Sequence, residues 1–487
     1  MCGIVGIVAS EPVNQQIYDS LLLLQHRGQD STGIATVDGS SLHIVKTKGQ
    51  VRESYRTRDM RSLLGNIGLG HVRYATRGSA ATEQEAQPFY VNAPYGIILV
   101  HNGNLVNTRE LTAALRGVDR RHLNTDSDTE LLLNVLANEL QKTASEEELT
   151  ADAVFDAVSI VHKRVEGSYA TIALIAGYGL LAFRDPHGIR PLILGRRTAE
   201  NGQDEWVVAS ESLVLESGGF EIVRDVEPGE AIFIDQQGKL QSRQCADGTA
   251  EYAPCAFEYV YLSRPDSVVN GISVYDARLR LGDKLAEEIA RHIDPSEIDV
   301  VMPIPDSARP SAMQVARKLG VEYREGFFKN RYVGRTFIMP GQALRKKSVR
   351  QKLHAMEVEF EGKTVCIVDD SIVRGTTSKE IVDMARAAGA ARVIFASAAP
   401  PVVWPHVYGI NISTRDELIA HGRTYEEIAE FIGADLLVYQ TVEGMNEAIL
   451  EGQDRFTTLE QACFTGNYIT GGVTAEYLDW LEANQTS

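Results

Sequence analysis

The second residue of the chain is a cysteine that could act as a nucleophile with its own backbone amine as the base. The sequence begins Met1-Cys2-Gly3, so removal of the initiator methionine would leave Cys2 with a free α-amino group. A thiolate is a strong nucleophile, and an α-amine of ordinary pKa, about 7.7–8.0, can accept and return a proton near neutral pH. The other interpretation of Cys2 is a buried structural thiol, the more common role of a single cysteine.

Three polar groups elsewhere in the first half could assemble around Cys2. Arg73 ends a predicted strand, where its guanidinium could bind a carboxylate in bidentate fashion or form a surface ion pair. Asn102 and Gly103 follow another strand and could supply two donors to an oxyanion, or simply form a β-turn. Asp128 starts a predicted helix, where a carboxylate is also a routine cap.

The strongest local pattern lies in the second half, where an apolar strand at 364–368 ends in two carboxylates and a hydroxyl-rich loop. The loop that opens the next helix reads Asp369-Asp370-Ser371-Ile372-Val373-Arg374-Gly375-Thr376-Thr377-Ser378. Loop N–H groups, a helix N-terminus and hydroxyls favour a phosphate. Adjacent acids suit ribose hydroxyls or a hydrated Mg²⁺. A structural strand–turn–helix is the alternative.

Two further segments of the second half carry polar or basic residues. The loop 303–310, with Asp306 and Ser307, follows another predicted buried strand, and an ordinary turn is its alternative. The segment 329–353 contains eight basic residues, among them Lys329, Arg335 and Lys352, and no acid. A solvated basic surface or an RNA-binding arm would explain this charge, but we favour a lid that closes over a diphosphate and excludes water.

Composition and charge limit the function classes. The chain has 487 residues, of which 44% are hydrophobic and 23% charged, so two or three soluble domains are expected. No apolar run reaches the roughly 18 residues of a membrane span, and the N-terminus lacks a signal-peptide pattern, so we expect a cytoplasmic protein. The net charge of −18 argues against a nucleic-acid partner, and five scattered cysteines argue against disulfides.

The elements that must position these residues differ between the two halves. Short apolar runs, at 4–8, 33–37, 68–72, 96–100, 169–175 and 179–183, predict strands, and 15–24 and 127–141 predict helices. Ser127 or Asp126 is the expected cap of the second helix, with Glu130 in a capping box. After about residue 255, helices and apolar strands alternate, which predicts a parallel sheet covered on both faces. We place one domain at 2–240 and a second at 255–487, the latter ending in a helical extension.

The first-half motifs together resemble the glutamine amidotransferase domain of the N-terminal-nucleophile class. The matching segments are 2–4, 26–30, 71–74, 102–103 and 125–128. The resemblance implies an α+β fold of stacked sheets in αββα layers. It also implies that Cys2 attacks the glutamine side-chain amide and that Asn102 and Gly103 form the oxyanion hole. Arg73 would bind the glutamine α-carboxylate and Asp128 its α-ammonium group.

The 365–378 segment resembles the phosphoribosyl-diphosphate motif of type I phosphoribosyltransferases, and the loop 303–310 resembles their pyrophosphate loop. The 365–378 segment is not a P-loop, because the Gly-Lys-[Ser/Thr] ending is absent. An α/β domain with a parallel sheet is implied, with Mg²⁺ held near Ser307, Asp369 and Asp370. The implied phosphoribosyl-diphosphate ligands are Asp306, Ser307, Lys329, Arg335, Lys352, Asp369, Asp370, Ser371, Arg374, Gly375, Thr376, Thr377 and Ser378.

In this order, the two halves resemble the amidophosphoribosyltransferase family along nearly the full length. The implied reaction converts glutamine, water and phosphoribosyl diphosphate to 5-phosphoribosylamine, glutamate and pyrophosphate, the first committed step of purine synthesis. Feedback inhibition by purine nucleotides and a homo-oligomer, dimer or tetramer, are also implied. We further expect glutamine hydrolysis to be weak until phosphoribosyl diphosphate closes the basic lid, because an uncoupled site would waste glutamine.

One departure from the family concerns an iron–sulfur cluster that some members carry on four cysteines. Here only Cys255 and Cys463 occupy matching positions, and His406 and Glu460 occupy the other two. A cubane cluster is normally held by four thiolates, so we expect none, and structural roles for the two cysteines.

Two other functions compete with this interpretation. An amidotransferase for a sugar phosphate or aspartate would need isomerase or ATP-pyrophosphatase motifs, which we do not find. A non-enzymatic regulator that senses nucleotides or binds RNA would not need Cys2, Arg73 and Asn102 together.

Overall fold

Two antiparallel sheets stacked face to face form the N-terminal half. The computed structural model describes residues 2–74, 83–144, 149–330, 353–410 and 414–485. The seven-stranded sheet has the spatial order Glu221–Asp225, Ile193–Thr198, Asp204–Ala209, Gly3–Val8, Ile67–Arg73, Ser31–Asp38 and Ser41–Lys48. The six-stranded sheet has the order Leu240–Gln244, Glu230–Asp235, Gly179–Arg184, Gly167–Ile175, Ile97–Leu105 and Phe89–Val91.

The period-two alternation of the strands separates an inner from an outer face. Ile4 of the first strand packs between the sheets, whereas Val5 faces the helix Asn14–Leu23. The helices Asp128–Thr143 and Ala151–Arg164 cover the outer face of the six-stranded sheet. The shorter helices of this half are Val51–Ser54, Thr57–Ser62, Thr108–Gly117 and Ser212–Ser217, with single turns at Gln25–Arg27 and Glu83–Glu85. The layers are therefore αββα, as predicted.

A five-stranded parallel sheet forms the core of the C-terminal half. Its order is Glu322–Tyr323, Val300–Pro303, Thr364–Asp369, Arg392–Ser397 and Leu436–Tyr439. The helices Val274–His292 and Arg309–Leu319 pack on one face, and Thr376–Ala387 and Tyr425–Ile432 pack on the other. Burial on both faces explains why the central strands read as continuous apolar runs. The α/β prediction for this half is confirmed.

The other elements of this half surround that sheet. Two short antiparallel ribbons pair Val268–Val269 with Ile272–Ser273 and Phe327–Lys329 with Leu353–Ala355. The remaining helices and turns are Glu258–Leu262, Pro295–Glu297, Glu357–Phe360, Arg415–Glu417, Val442–Leu450, Ala462–Thr465 and Ala475–Gln485. In the described part of the chain, no helix combines the length and apolar character that a membrane crossing requires.

Two local expectations differ from the structure. Ser127 is the N-cap of the helix Asp128–Thr143, but its side chain makes no capping hydrogen bond. Glu130 instead accepts hydrogen bonds from the backbone N–H groups of Asn124 and Thr125, 2.8 and 2.7 Å away, so the capping box was wrong. The six-stranded sheet also continues to Gln244, and its last strand starts at the domain boundary that we placed at residue 240.

Buried charges join the two halves. Arg27 pairs with Glu211 of the first half and, at 2.8 Å, with Glu258 at the start of the second. Arg190 also reaches Glu258, at 3.2 Å, and all four side chains are at most 1% exposed. Burial opposes ionisation of Glu258, but the Arg27 and Arg190 charges outweigh it and hold its pKa below the usual range.

Replacing Glu258 with glutamine is expected to lower the free energy of unfolding by about 3–5 kcal/mol, because the buried Arg190 loses the carboxylate it pairs with and Arg27 loses one of two. Urea unfolding at pH 7 measures the change, with Glu417→Gln, an exposed pair to Arg374, as the control. The folded-state pKa of Glu258 is depressed, so its contribution is complete above its unfolded pKa of about 4.3 and falls as the pH drops further. A loss below about 1 kcal/mol would contradict the role of this network.

Candidate active sites

Cys2 lies at the start of the first strand, at one end of the layer between the two sheets. Its residue is 7% exposed, and its thiol donates a hydrogen bond to the Tyr74 carbonyl, with 3.8 Å between sulfur and oxygen. Burial raises the pKa of the Cys2 thiol, and the N-terminal charge, the Tyr74 backbone and Arg73 oppose that shift only in part. The thiol is therefore protonated at neutral pH and needs a nearby base to become a nucleophile.

Asn102 reaches the same end of the inter-sheet layer from the opposite sheet. It follows Ile98 and Val100 at two-residue spacing on the strand Ile97–Leu105, and both of those side chains face the inner layer. The Asn102 residue is fully buried, and neither its amide nitrogen nor its amide oxygen has a hydrogen-bond partner among the described residues. Burying an amide without hydrogen-bond partners costs free energy, so we expect the Asn102 amide to hydrogen-bond to a bound molecule.

Gly103 is required by the backbone beside Asn102. Its φ of +152° lies in a region that favours glycine, and a β-carbon there would lie 2.0 Å from the Ser168 carbonyl oxygen. The backbone conformation and the close packing at position 103, next to Asn102, therefore require glycine. The structure thus places the Asn102 amide beside a backbone that requires glycine, and the role of the two residues as oxyanion donors stays a prediction.

Arg73 and Asp128 place opposite charges around Cys2. The Arg73 charge lowers the pKa of the thiol and the Asp128 charge raises it, so both groups lie within electrostatic reach of Cys2. Glu85 holds one arm of Arg73 at 2.8 Å. The Asp128 carboxylate accepts a hydrogen bond from the Leu105 N–H at 3.1 Å. A cation and an anion beside one thiol match a zwitterionic amino acid.

The second site forms where two neighbouring parallel strands end. Pro303 pairs with Val368, so the loops that follow them, with Ser307 and Asp369, meet at the same edge of the sheet. Ser307 donates a hydrogen bond to Asp370, whose second oxygen accepts one from Ser371 at 2.7 Å. Burial, and then the Asp370 charge, raise the pKa of Asp369 well above its usual range. The paired acids therefore favour a cation or sugar hydroxyls at this edge.

The loop 371–378 ends in a helix N-terminus that opens toward the same edge. Gly375, with φ of +71°, precedes the helix Thr376–Ala387, and the exposed Thr376 and Thr377 form its first turn. Ser378 is buried, and Arg374 pairs with Glu417 at 2.8 Å. Unpaired N–H groups and hydroxyls at a helix N-terminus form a phosphate-binding arrangement.

Part of the basic segment also reaches this site. Lys329 ends the strand Phe327–Lys329, and its ammonium group lies 2.6 Å from Asp306 in the loop after the first of the two strands. The antiparallel pairing of that strand with Leu353–Ala355 brings the two ends of the segment together. The predicted ligands Arg335 and Lys352 lie outside the described residues.

The four positions at which some family members hold a cluster lie in a buried group. The Cys255 sulfur is 3.5 Å from His406 Nε2, which is 3.2 Å from Glu460 Oε2. Cys463 is 1% exposed. These side chains supply two thiols, an imidazole and a carboxylate, which do not fit the four thiolates of a cubane cluster.

Comparison with known proteins decides the family. Residues 71–217 match the model of a glutamine amidotransferase domain, and 272–400 that of a phosphoribosyl transferase domain. The chain is 54% identical over 482 residues to an amidophosphoribosyltransferase of Pseudomonas aeruginosa, covering 99% of this chain and 95% of that protein. It is 49% identical over 494 residues to one of Saccharomyces cerevisiae, covering 100% and 96% respectively. The chain belongs to the amidophosphoribosyltransferase family.

Solved structures of this family agree with the fold. A glutamine phosphoribosylpyrophosphate amidotransferase from B. subtilis, complexed with ADP and GMP, is 38% identical, with a TM-score of 0.84. The match covers 97% of this chain and 98% of that one. Both domains of the amidophosphoribosyltransferase fold therefore lie within one chain.

Sequence reasoning missed several residues of this amidophosphoribosyltransferase. Tyr74 and Glu85 contact Cys2 and Arg73 directly; Tyr74 lies in the matching segment 71–74, but no role was predicted for it. Arg27 lies in the matching segment 26–30, also without a predicted role, yet it is buried and joins the halves. Its partners Glu211 and Glu258 are 184 and 231 residues away, so no local pattern could have linked them.

Proposed function

We propose that this chain is a glutamine-dependent amidophosphoribosyltransferase in which Cys2 releases ammonia and the site around Asp369 adds it to C1 of phosphoribosyl diphosphate. The observation that carries the proposal is the presence of two candidate sites in one chain. One is a buried thiol near an Asn102 amide that has no hydrogen-bond partner among the described residues, and the other is a pair of acids at a strand end, followed by a loop and a helix N-terminus. The products are 5-phosphoribosylamine, glutamate and pyrophosphate, and the reaction commits its substrate to purine synthesis.

At the first site, the α-amine of Cys2, which becomes free when Met1 is removed, would take the thiol proton as the sulfur attacks the glutamine amide. The tetrahedral intermediate carries an oxyanion, which the Asn102 amide and the Gly103 N–H would stabilise. The proton returned by the amine converts the leaving group to ammonia, and water then hydrolyses the glutamyl thioester. Arg73 and Asp128 would hold the α-carboxylate and α-ammonium group of the substrate.

At the second site, the loop 371–378 would bind the 5-phosphate and Asp369 and Asp370 the ribose hydroxyls. Asp306, Ser307 and Lys329 would contact the diphosphate, with Arg335 and Lys352 as further proposed ligands. The oxygen donors of Ser307, Asp369 and Asp370 suit Mg²⁺, which would neutralise the pyrophosphate leaving group when bound. The protein's own contribution is to orient C1 toward the incoming ammonia and to exclude water.

Replacing Asn102 with alanine is expected to lower kcat for glutamine hydrolysis by about 10²–10³-fold with little change in KM, because the oxyanion donor acts in the transition state. Glutamate release measured against glutamine concentration tests this. Asn134→Ala, a buried asparagine of the same half that donates to the Glu130 carbonyl, is the matched control. A variant that changed KM alone would contradict the assigned role.

A segment of the C-terminal half touches both sites and supports the proposed coupling between them. Asn104 donates to the Val407 carbonyl at 2.8 Å, and a β-carbon on Gly409 would lie 2.9 Å from the Gly103 carbonyl oxygen. Further along, the Ile419 N–H donates to the Val373 carbonyl at 3.0 Å. Val407 and Gly409 therefore contact the oxyanion strand, and Ile419, ten residues further along the chain than Gly409, contacts the phosphoribosyl loop.

Phosphoribosyl diphosphate is expected to stimulate glutamine hydrolysis in the wild type. Replacing Asn104 with alanine is expected to reduce that stimulation by about tenfold, which corresponds to a loss of about 1.4 kcal/mol of coupling free energy between the two sites. Glutamate release with and without phosphoribosyl diphosphate measures the ratio. Asn107→Ala is the control, because among the described residues the Asn107 side chain bonds within the first half, where it donates to the Arg164 carbonyl and accepts from the Glu166 N–H. Wild-type hydrolysis that did not respond to phosphoribosyl diphosphate would contradict the coupling.

The remaining parts of the proposal concern regulation and assembly. The ADP and GMP in the B. subtilis structure support feedback inhibition of this chain by purine nucleotides. We also propose that the protein forms a homo-oligomer, is located in the cytoplasm and has no iron–sulfur cluster. An iron assay on protein purified without air tests the last point, since a four-iron cluster would give about four irons per chain.

A further inference from the structure

Cys255, His406 and Glu460 form a closed group of three different metal-ligating side chains outside both active sites. Their ligand atoms all lie within 4.8 Å of one another, and the three residues are at most 4% exposed. We propose that they bind one Zn²⁺ ion and that the ion fastens the C-terminal segment to the junction of the two halves. This inference does not depend on the proposed enzymatic function.

The distances within the group match those around a tetrahedral zinc ion. With Zn–S of about 2.3 Å, Zn–N of about 2.0–2.1 Å and Zn–O of about 2.0–2.2 Å, tetrahedral ligands lie about 3.5 Å apart for sulfur and nitrogen and about 3.3 Å apart for nitrogen and oxygen. The structure has 3.5 Å between Cys255 Sγ and His406 Nε2 and 3.2 Å between His406 Nε2 and Glu460 Oε2. The three side chains therefore already surround a space of the right size.

The Glu460 carboxylate has one oxygen that a cation could share. Glu460 Oε1 accepts a hydrogen bond from the Ala462 N–H at 2.9 Å. The buried Oε2 forms an ion pair with the imidazole, 3.2 Å away, and accepts no hydrogen bond from another described residue. A Zn²⁺ ion between the two groups would replace the imidazole as the direct partner of this buried charge.

The chemistry of the group selects zinc among common metals. A thiolate, an imidazole and a carboxylate suit Zn²⁺, whereas Mg²⁺ and Ca²⁺ prefer oxygen ligands. Cys463 is buried nearby, but its sulfur is not one of the ligand atoms that lie within 4.8 Å of one another. Coordination through His406 Nε2 moves the ring proton to Nδ1, so the 3.3 Å hydrogen bond that Nδ1 accepts from the Tyr408 N–H must open on binding.

The position of the group explains what the ion would do. The Cys255 N–H donates to the Ile189 carbonyl of the first half at 3.1 Å, and the Ala256 N–H donates to the Glu460 carbonyl at 2.9 Å. The Trp404 N–H donates to the Cys463 carbonyl at 3.0 Å. The ligands thus come from the linker between the halves, the segment 403–408 and the C-terminal segment, which a single ion would hold together.

The metal content of the full-length protein tests the site directly. We expect about one zinc per chain by elemental analysis of protein purified without chelators, and below about 0.1 in His406→Asn and Glu460→Gln, because loss of a ligand weakens binding by well over tenfold. Cys366→Ala, a buried cysteine in the parallel sheet, is the control that keeps its zinc. Ammonia-dependent synthesis, measured in each variant, shows that the variants are folded.

Refolding the wild-type protein with a spectroscopic probe tests the metal site without relying on any variant. Wild-type protein refolded from denaturant with Co²⁺ is expected to show the intense visible and near-ultraviolet absorption of a tetrahedral cobalt–thiolate site, and to unfold at higher temperature than protein refolded without metal. Zinc below about 0.1 per chain in the wild type, together with no cobalt–thiolate spectrum, would overturn the proposal. Full zinc content in folded His406→Asn, or iron in place of zinc, would overturn it as well.

Discussion

Replacing Cys2 with alanine is expected to abolish phosphoribosylamine synthesis from glutamine and to leave synthesis from added ammonia intact. Loss of a nucleophile lowers glutamine-dependent turnover by at least about 10⁴-fold, because the thioester cannot form. The ammonia-dependent rate is expected to stay within about twofold, since the second site has its own ligands and distant sites behave independently. Pyrophosphate release, with glutamine or ammonium as the only nitrogen source, measures both rates.

The matched control for this variant is Cys245→Ala. Cys245 is also buried in the first half, at 6% exposure, but packs against the helices on the outer face of the six-stranded sheet. It is expected to retain both activities. A folded Cys2→Ala protein that lost ammonia-dependent synthesis, or that still used glutamine, would contradict the division of labour between the two sites.

Replacing Asp369 with asparagine is expected to lower synthesis from both nitrogen sources by about 10²–10³-fold, because one carboxylate that orients the ribose and the cation is lost. The change keeps the size of the side chain, so stability is expected to hold. Indeed, burial and the Asp370 charge raise the pKa of Asp369, so removing its charge relieves repulsion in the empty site. Pyrophosphate release and the urea midpoint together separate the two effects.

Asp383→Asn serves as the control for Asp369. Asp383 lies on the helix Thr376–Ala387 that follows the loop, two turns away from its N-terminus. It is expected to retain both activities. Full ammonia-dependent synthesis by Asp369→Asn would contradict the assignment of that carboxylate to the phosphoribosyl site.

The fold was predictable from the sequence wherever one strand or helix carried its own pattern. The strand Gly179–Arg184 and the helix Asn14–Leu23 lie within one residue of their predicted bounds, because burial fixes the period of the apolar residues. The two-residue strand Glu322–Tyr323 and the strand Leu436–Tyr439 were missed. Both are edge strands, which are too short to show a period.

The candidate sites were predictable where a motif is contiguous and not where partners are distant. Each of two motifs, Asn102-Gly103 and the loop 369–378, consists of residues adjacent in sequence. Their residue types alone therefore indicate the chemistry, donors to an oxyanion in the first and ligands for a phosphate and a sugar in the second. The contact of Asn104 with Val407 spans 303 residues, and that of Arg27 with Glu258 spans 231. Glu130 was misassigned for a related reason, since its position suits two local hydrogen-bonding patterns and tertiary packing chose between them.

The ratio of glutamate to pyrophosphate formed by the wild-type protein tests most directly whether Cys2 and the Asp369 site act as one enzyme. With saturating glutamine, phosphoribosyl diphosphate and Mg²⁺, and no added ammonium, we expect one glutamate for each pyrophosphate throughout the time course. Omitting phosphoribosyl diphosphate is expected to lower glutamate release sharply. Glutamate formed in large excess over pyrophosphate, or at the same rate without phosphoribosyl diphosphate, would contradict the coupling of the two sites.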